Sequence, residues 1–276
     1  MHNFITTLLL LALSLSANGE SPKPEGTLLR LQLVKDSTYQ MVYSTNEIMY
    51  ASKKLERKRM ENKVTAYTQF KVVEILENQN YQIEFKVNRI QSSQTSGTKI
   101  FSYDSREQGG SATFPEVLVR DYEKILQKPV SLEINPRGEV LTINPNNLEM
   151  SGISLKNLIQ SIIHPFPKRA VSIGDNYQNS MRNPRLPKRD IILTYRISEI
   201  NATAVELTIK AAIAEKETPE YQENFRFQNH GTLTLNPTTG WMRRYEGQST
   251  LKGKSPTSGS YFLITNYSHY SGARGK

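Results

Sequence analysis

From Thr27 to Tyr103 the chain is a succession of segments in which apolar and polar residues alternate: TLLRLQLV, STYQMVYSTNEIMY, VTAYTQFKVVEIL, NYQIEFKVNRI and GTKIFSYDS. A period of two puts successive side chains on opposite faces of a strand, so each segment offers one face to bury and one to wet. The connections KDS and ENQN are short and turn-forming, whereas a parallel crossover needs a dozen residues or more, so neighbouring strands run antiparallel. The pattern returns in DIILTYRISEI, AVELTIKAAIAE, NFRFQNHGTLTL, GWMRRYEGQSTLKG and GSYFLITNYSHY. In all this makes about twelve strands, more than a small flat sheet holds without curling or closing. The expected fold is mainly β: one large curved antiparallel sheet or incomplete barrel, in a single domain over 27–270, with 271–276 as a disordered tail.

Two amphipathic helices are expected to lie flat on that sheet. PEVLVRDYEKILQK begins with Pro115 and places Val117, Leu118, Tyr122, Ile125 and Leu126 on one stripe. SLKNLIQSIIHPFP offers Ser154 as an N-cap and puts Leu155, Leu158, Ile159, Ile162 and Ile163 on one face, with Pro165 and Pro167 as the stop.

SLEINPRGEVLTI (Ser131 to Ile143) and TLTLNPTTGWMRRY (Thr232 to Tyr245) both carry Asn-Pro followed by Gly between alternating segments. Asn suits the first turn position, Pro fixes the next φ, and Gly takes the left-handed position, so each is a hairpin turn. No wider repeat of fixed period accompanies them.

Residues 1–19 hold a short apolar core, FITTLLLLALSL, ahead of Ala17-Asn18-Gly19, a small-x-small cleavage site. They are expected to be an export signal cleaved near Gly19, followed by a tether over 20–26; a buried N-terminal segment is the alternative. The chain has no cysteine, which removes disulfides, thiolate metal sites, cysteine nucleophiles and a lipid-modified leading Cys. An exported protein without disulfides points to the periplasm or exterior of a bacterium. The formal net charge of +9 favours anionic partners, a membrane surface or acidic glycans above nucleic acid in that compartment.

The residues carry no recognisable catalytic constellation. GQSTLKGKSP ends in Gly-Lys-Ser but has the wrong glycine spacing and no following helix for a phosphate loop. His164, His230 and His269 are not spaced as metal ligands, and no GxSxG occurs. Trp241 is expected in core packing or a strand-end contact, not in ligand stacking. No cofactor is expected. The densest charge run is KKLERKRMENK, in which Lys53, Lys54, Arg57, Lys58 and Arg59 outnumber Glu56. It reads either as a solvated hairpin tip that discourages edge pairing or as a finger facing an anionic surface. A second basic group, Arg182, Arg185, Lys188 and Arg189, follows later; neither has the interleaved aromatics of a single-strand nucleic-acid platform.

At PFPKRAVSIGDNY (Pro165 to Tyr177) and GTLTLNPTTGWMRRYEG the sequence resembles a β-rich family of secreted bacterial proteins of uncharacterised function. The resemblance covers roughly Thr27 to Tyr270 and implies no catalytic residues. The layout is also similar to half-barrels of the lipoprotein-carrier type, an analogy of fold alone. Two functions are expected from different classes: a binding module holding an apolar or amphipathic ligand in the concave sheet, or a structural envelope protein whose core is filled by its own side chains.

Overall fold

The computed structural model describes residues 26–51, 58–107, 114–144, 149–150, 153–154, 159–160, 162–182, 190–213, 225–254 and 261–274. Strands β1 (Thr38–Ala51), β2 (Lys58–Ile75), β3 (Tyr81–Ser96) and β4 (Lys99–Asp104) precede helix α1 (Glu116–Ile125). Then come β5 (Val130–Ile134), β6 (Val140–Asn144), the two-residue strands β7 (Glu149–Met150) and β8 (Ile153–Ser154), and β9 (Asn176–Arg182). The chain ends with β10 (Asp190–Ile200), β11 (Val205–Ile213), β12 (Phe225–Leu235), β13 (Met242–Lys254) and β14 (Tyr261–Arg274). Twelve strands form one open antiparallel sheet in the order β6-β5-β3-β2-β1-β14-β13-β12-β11-β10-β9, with β4 beside β3. β14 runs past Tyr270 to Arg274, opposite Tyr39, where a tail was expected.

The sheet is strongly curled. Ten spacings of about 4.8 Å separate β6 from β9, roughly 50 Å if flat. Yet two consecutive residues touch both margins. The Phe166 N–H donates to the Arg137 carbonyl in the β5–β6 turn at 2.7 Å, and the Pro165 carbonyl accepts from Asn179 Nδ2 on β9 at 2.7 Å. The inner face is therefore concave, and one end of it is plugged by the segment around Ile159, Ile162, Ile163 and Phe166, all buried.

Residues 27–34 complete the plug, and here the sequence reading is corrected. Leu29, Leu31 and Leu33 alternate inward as in a strand, but the segment joins no ladder beyond a single bridge from Thr27 to Val171. It is a strap. The Leu31 N–H donates to the Pro136 carbonyl at 2.7 Å and the Gln32 N–H to the Thr239 carbonyl at 2.8 Å. The two Asn-Pro turns thus clamp it between them, and the Arg30 guanidinium ties it to the carbonyls of Pro167 and Lys168. Three buried leucines at about 1.5–3 kcal/mol each hold it without a strand partner.

Helix α1 lies against the inner face as expected, with Tyr122 and Ile125 buried and the Tyr122 hydroxyl 3.3 Å from Ser92 Oγ. Of the second expected helix only Ile159, Gln160 and Ile162 are helical among the described residues, so α1 is the one helix these residues show in full. Ser154, read as an N-cap, pairs with Glu149 in the β7–β8 ladder, and 155–158 and 161 lie outside the described residues. What remains is one turn, the Ile163 N–H donating to the Ile159 carbonyl at 2.9 Å, before Pro165 and Phe166 are drawn out to Asn179 and Arg137.

Both turns carry their glycine at positive φ, 79° at Gly138 and 67° at Gly240. Their surroundings differ. A Cβ at Gly138 would lie 3.2 Å from Ile163 Cγ2 and 3.3 Å from the His164 carbonyl, tight but without overlap, whereas one at Gly240 would run into the backbone carbonyl of Arg30 at 2.2 Å. Gly138→Ala is expected to cost the about 1–2 kcal/mol of a left-handed alanine, and Gly240→Ala clearly more, because the strap itself must move. Urea unfolding of the two variants checks this; equal losses would mean that the strap contact does not matter.

Candidate functional site

The inner face changes character along the strands. At the plugged end it is solid: Tyr39, Phe70, Phe85 and Trp241 pack with ring centroids 4.9–5.2 Å apart, as expected for the single tryptophan. The apolar space left there is a cavity of about 20 Å³ between Leu31, Met41, His164, Phe166 and Trp241, room for about one water. The connections at the far end (52–57, 183–189, 214–224 and 255–260) lie outside the described residues.

Above the solid core runs a belt of phenols. Tyr43 stacks on Tyr270 and Tyr270 on Tyr245, each pair at 4.9 Å; Tyr245 lies 5.7 Å from the His164 ring, His164 5.7 Å from Tyr195, and Tyr195 stacks on Tyr177 at 4.7 Å. The belt thus crosses from β1 to β9, with His164 of the plug bridging its two halves. Tyr245 lies along the sheet because Gly247 and Gly231 beneath it have no side chain; a Cβ at Gly247 would meet its hydroxyl. Burial raises the phenols of Tyr177, Tyr195, Tyr245 and Tyr270 above their ordinary value, so they are neutral hydrogen-bonding groups.

His164 is a neutral imidazole held by the belt. Part of the residue reaches the surface, but Nε2 is enclosed without a partner while Nδ1 lies 2.9 Å from the Tyr195 hydroxyl, and burial pushes the imidazole down to about 4.

Two further rows follow toward the far end, fixed by register. Directly opposed residues share a face, and in β1 that face is set by buried Tyr39 and Met41. Two residues farther along than Thr45, Glu47 stands opposite Asn62 and Asn266, Asn266 opposite Ser249, and Ser249 opposite Asn229, which makes a polar row across β2, β1, β14, β13 and β12. One step beyond it Met60, Met49, Ile264, Leu251 and Phe227 form an apolar row over the same five strands, each partly exposed. Seven buried side-chain atoms among the described residues lack a hydrogen-bond partner: Asn62, Asn229 and Asn266 Oδ1, His164 Nε2, Tyr177 OH and Trp241 Nε1 on the inner side, and Asn46 Oδ1 on the outer. Each costs about 1–3 kcal/mol if nothing meets it, so three in one row are a feature and not noise.

The outer face carries two open troughs, of about 360 and 450 Å³, that meet at Lys63 and Thr65. Asp104 in the first is locked to Arg89 and to Gln91 Nε2, and the guanidinium holds its carboxyl well below the usual carboxylate range. In the second, Glu246 meets Arg244 at 2.6 Å and His269 at 3.3 Å. Among the described residues no three His, Asp or Glu side chains converge as metal ligands.

Of the basic finger, Lys53, Lys54 and Arg57 lie outside the described residues, and Lys58 and Arg59 open β2, with Lys58 opposite Tyr50. Arg182 closes β9, while Arg185, Lys188 and Arg189 also lie outside. The phenol belt and the polar row had no counterpart among the residues singled out from sequence. Asparagine is depleted in strands, so its appearance in phase in mid-strand (Asn62, Asn229, Asn266) was the available signal.

The low pKa of His164 has a stability consequence. Between about pH 6.5 and 4 the unfolded chain binds a proton that the folded chain does not, so stability falls as pH falls through this window, by up to about 3 kcal/mol. Asp104 acts lower, since a depressed carboxylate loses its contribution only below its ordinary range. In His164→Gln the urea midpoint is expected to stay nearly level from pH 6.5 to 4.5, where the wild type declines. Parallel declines would remove His164 as the cause.

Among solved structures, the chain is similar to a lipovitellin chain, reported under "Lipid-protein interactions in lipovitellin", with a TM-score of 0.55 and 9% identity. The match covers 88% of this chain and 25% of that one, so this chain spans about a quarter of its length, and at such identity the likeness is one of fold alone. No curated protein matches the sequence. Residues 147–242, which run from β7 through the plug and β9–β12 to the second Asn-Pro turn, match DUF6263, a family of unknown function, in keeping with the resemblance read from the sequence.

Proposed function

We propose that the protein is a non-enzymatic binding module of a bacterial envelope compartment that holds an apolar or amphipathic ligand on the far half of its inner face. The observation that carries this is the apolar row Met60–Met49–Ile264–Leu251–Phe227, partly exposed on a face that is packed solid at its plugged end. Adjacent apolar side chains on a concave surface are a recognition feature when no layer of the chain buries them fully. The lipovitellin fold likeness supports the same reading as an analogy. Export is supported by the apolar leader at 1–19 and the absence of cysteine. The filled plugged end supports a second reading, a structural envelope protein that binds nothing there.

Lipid extraction and mass spectrometry of protein purified from a bacterial envelope separate the two. An amphiphile at close to one per chain is expected, falling at least tenfold in Leu251→Lys/Ile264→Lys, which plants charge on the row. Wild-type protein that carries nothing and takes up no apolar dye leaves the structural reading in place.

The finger supports an anionic membrane as a partner. Each of Lys53, Lys54, Arg57, Lys58 and Arg59 near such a surface contributes about 1 kcal/mol at low salt. Replacing all five with Gln is expected to abolish flotation with anionic liposomes at low ionic strength while thermal stability hardly changes. Wild-type protein that ignores those liposomes ends this part of the proposal and leaves the solvated tip.

A further inference from the structure

The outer troughs lie on the wet face of the sheet, apart from the rows that would hold a ligand inside. One row of side chains crosses both: Ser102, Ser93, Lys63, Asn46, Tyr267 and Gln248, on β4, β3, β2, β1, β14 and β13. Five strand spacings of about 4.8 Å make it roughly 24 Å long. Beside it Ser44 and Thr65 share a hydrogen bond of 3.1 Å, and Gln91 is fixed by the Tyr67 hydroxyl at 3.1 Å and by Asp104 at 2.9 Å. Tyr267 is the one exposed Tyr, Phe or Trp among the described side chains, at 46%. The charges here cancel. Asp104 is paired with Arg89, Lys63 with Glu61, and Glu246 with Arg244. With Glu107 added, four carboxylates meet three cations, so this surface has no share in the formal net charge of +9.

We propose that the troughs bind a neutral glycan laid across the strands, a sugar ring stacked on Tyr267 and its hydroxyls met by the amide and hydroxyl side chains of the row. Sugar hydroxyls both donate and accept, and so do Ser, Thr, Asn and Gln, so neither partner must carry a charge. A polyanion would find no surplus of donors or of positive charge here. An extended peptide would need a free strand edge, and β2, β1 and β14 are paired on both sides. An exposed tyrosine offers an apolar ring with a polar tip, which suits the C–H face of a sugar and its hydroxyl rim alike. The site is separate from the inner-face ligand and does not rest on it.

The test uses the purified full chain and three hexasaccharide probes: cellohexaose and chitohexaose, which are neutral, and hexagalacturonate, which is acidic. By titration calorimetry at least one neutral hexamer is expected to bind at least tenfold more tightly than hexagalacturonate. It should also bind more tightly than its own disaccharide, which spans only part of the row. Raising the salt is expected to leave this binding unchanged, since no ion pair carries it. Tyr267→Ala is expected to weaken it at least tenfold and Tyr267→Phe to keep it, with the thermal midpoint unmoved in both. Ser93→Leu, which puts an apolar side chain in the row from another strand, is expected to weaken it as well. Leu251→Lys/Ile264→Lys is expected to leave it intact, and its loss there would move the site off the outer face and overturn the proposal. Failure of both neutral hexamers to bind overturns it and leaves an ordinary wet face, with the inner-face reading untouched. Hexagalacturonate bound as tightly as the neutral hexamers overturns it too, and so does unaltered binding in Tyr267→Ala and Ser93→Leu.

Discussion

The hold of the strap at 27–34 is the interaction on which the rest depends. An open sheet of twelve strands has two free margins and no intrinsic reason to stop curling at one radius. Here the radius is set at one end by a small number of hydrogen bonds: Leu31 to Pro136, Gln32 to Thr239 and Phe166 to Arg137 between backbone groups, and the Asn179 side chain to the Pro165 carbonyl. Each ties a non-sheet residue to a turn or margin of the sheet, and together they bring β5–β6 and β9 onto the same plug. The Asn-Pro turns are rigid enough to serve because Asn Oδ1 accepts from backbone N–H groups within each turn, Arg137 and Glu139 in one and Thr238 and Thr239 in the other.

With that end fixed, the long strands project beyond it, and their inner face passes from apolar core through phenols and amides to a last apolar row. The order follows from what each level can reach. Near the plug, side chains of the strap and of 159–166 fill the concavity, so Phe70, Ile83 and Leu132 are fully buried. At the phenol belt, His164 is the last plug residue in contact, and tyrosine bridges dry and wet surroundings because it has an apolar body and a polar tip. Above it polar side chains become tolerable, and their partners need not be protein.

Much of this architecture was written in local pattern. β1, β2, β3 and β10–β14 follow the alternation closely, α1 follows its stripe from Pro115, and Gly138 and Gly240 sit at the positive φ that their turns require. The failures share one cause. TLLRLQLV alternates like a strand because alternate leucines are buried, but its partners are two turns far away in sequence, and period alone does not distinguish a ladder from a strap. The helical stripe after Ser154 is met only at Ile159, Gln160 and Ile162 among the described residues, because Ser154 is held in β8 and the residues after Ile163 are held by Arg137 and Asn179. The surroundings of His164 were not readable either, because only the curl brings Tyr195 and Tyr245 to it. The turns themselves were readable; that they clamp anything was not.

The polar row was hidden for the opposite reason, since its members are ordinary residues whose meaning lies in register. Asn62, Glu47, Asn266, Ser249 and Asn229 come from five strands and become neighbours through four ladders. A slip of one residue in any ladder would turn part of the row to the outer face, so the row is as well defined as the register, and the register is set by Tyr39, Met41 and Phe70 at the plugged end. The packed end and the candidate site are therefore one device. Filling one half of the concavity with its own side chains lets the protein align amides and apolar side chains in the other half, where residues from strands this long would otherwise share no fixed level.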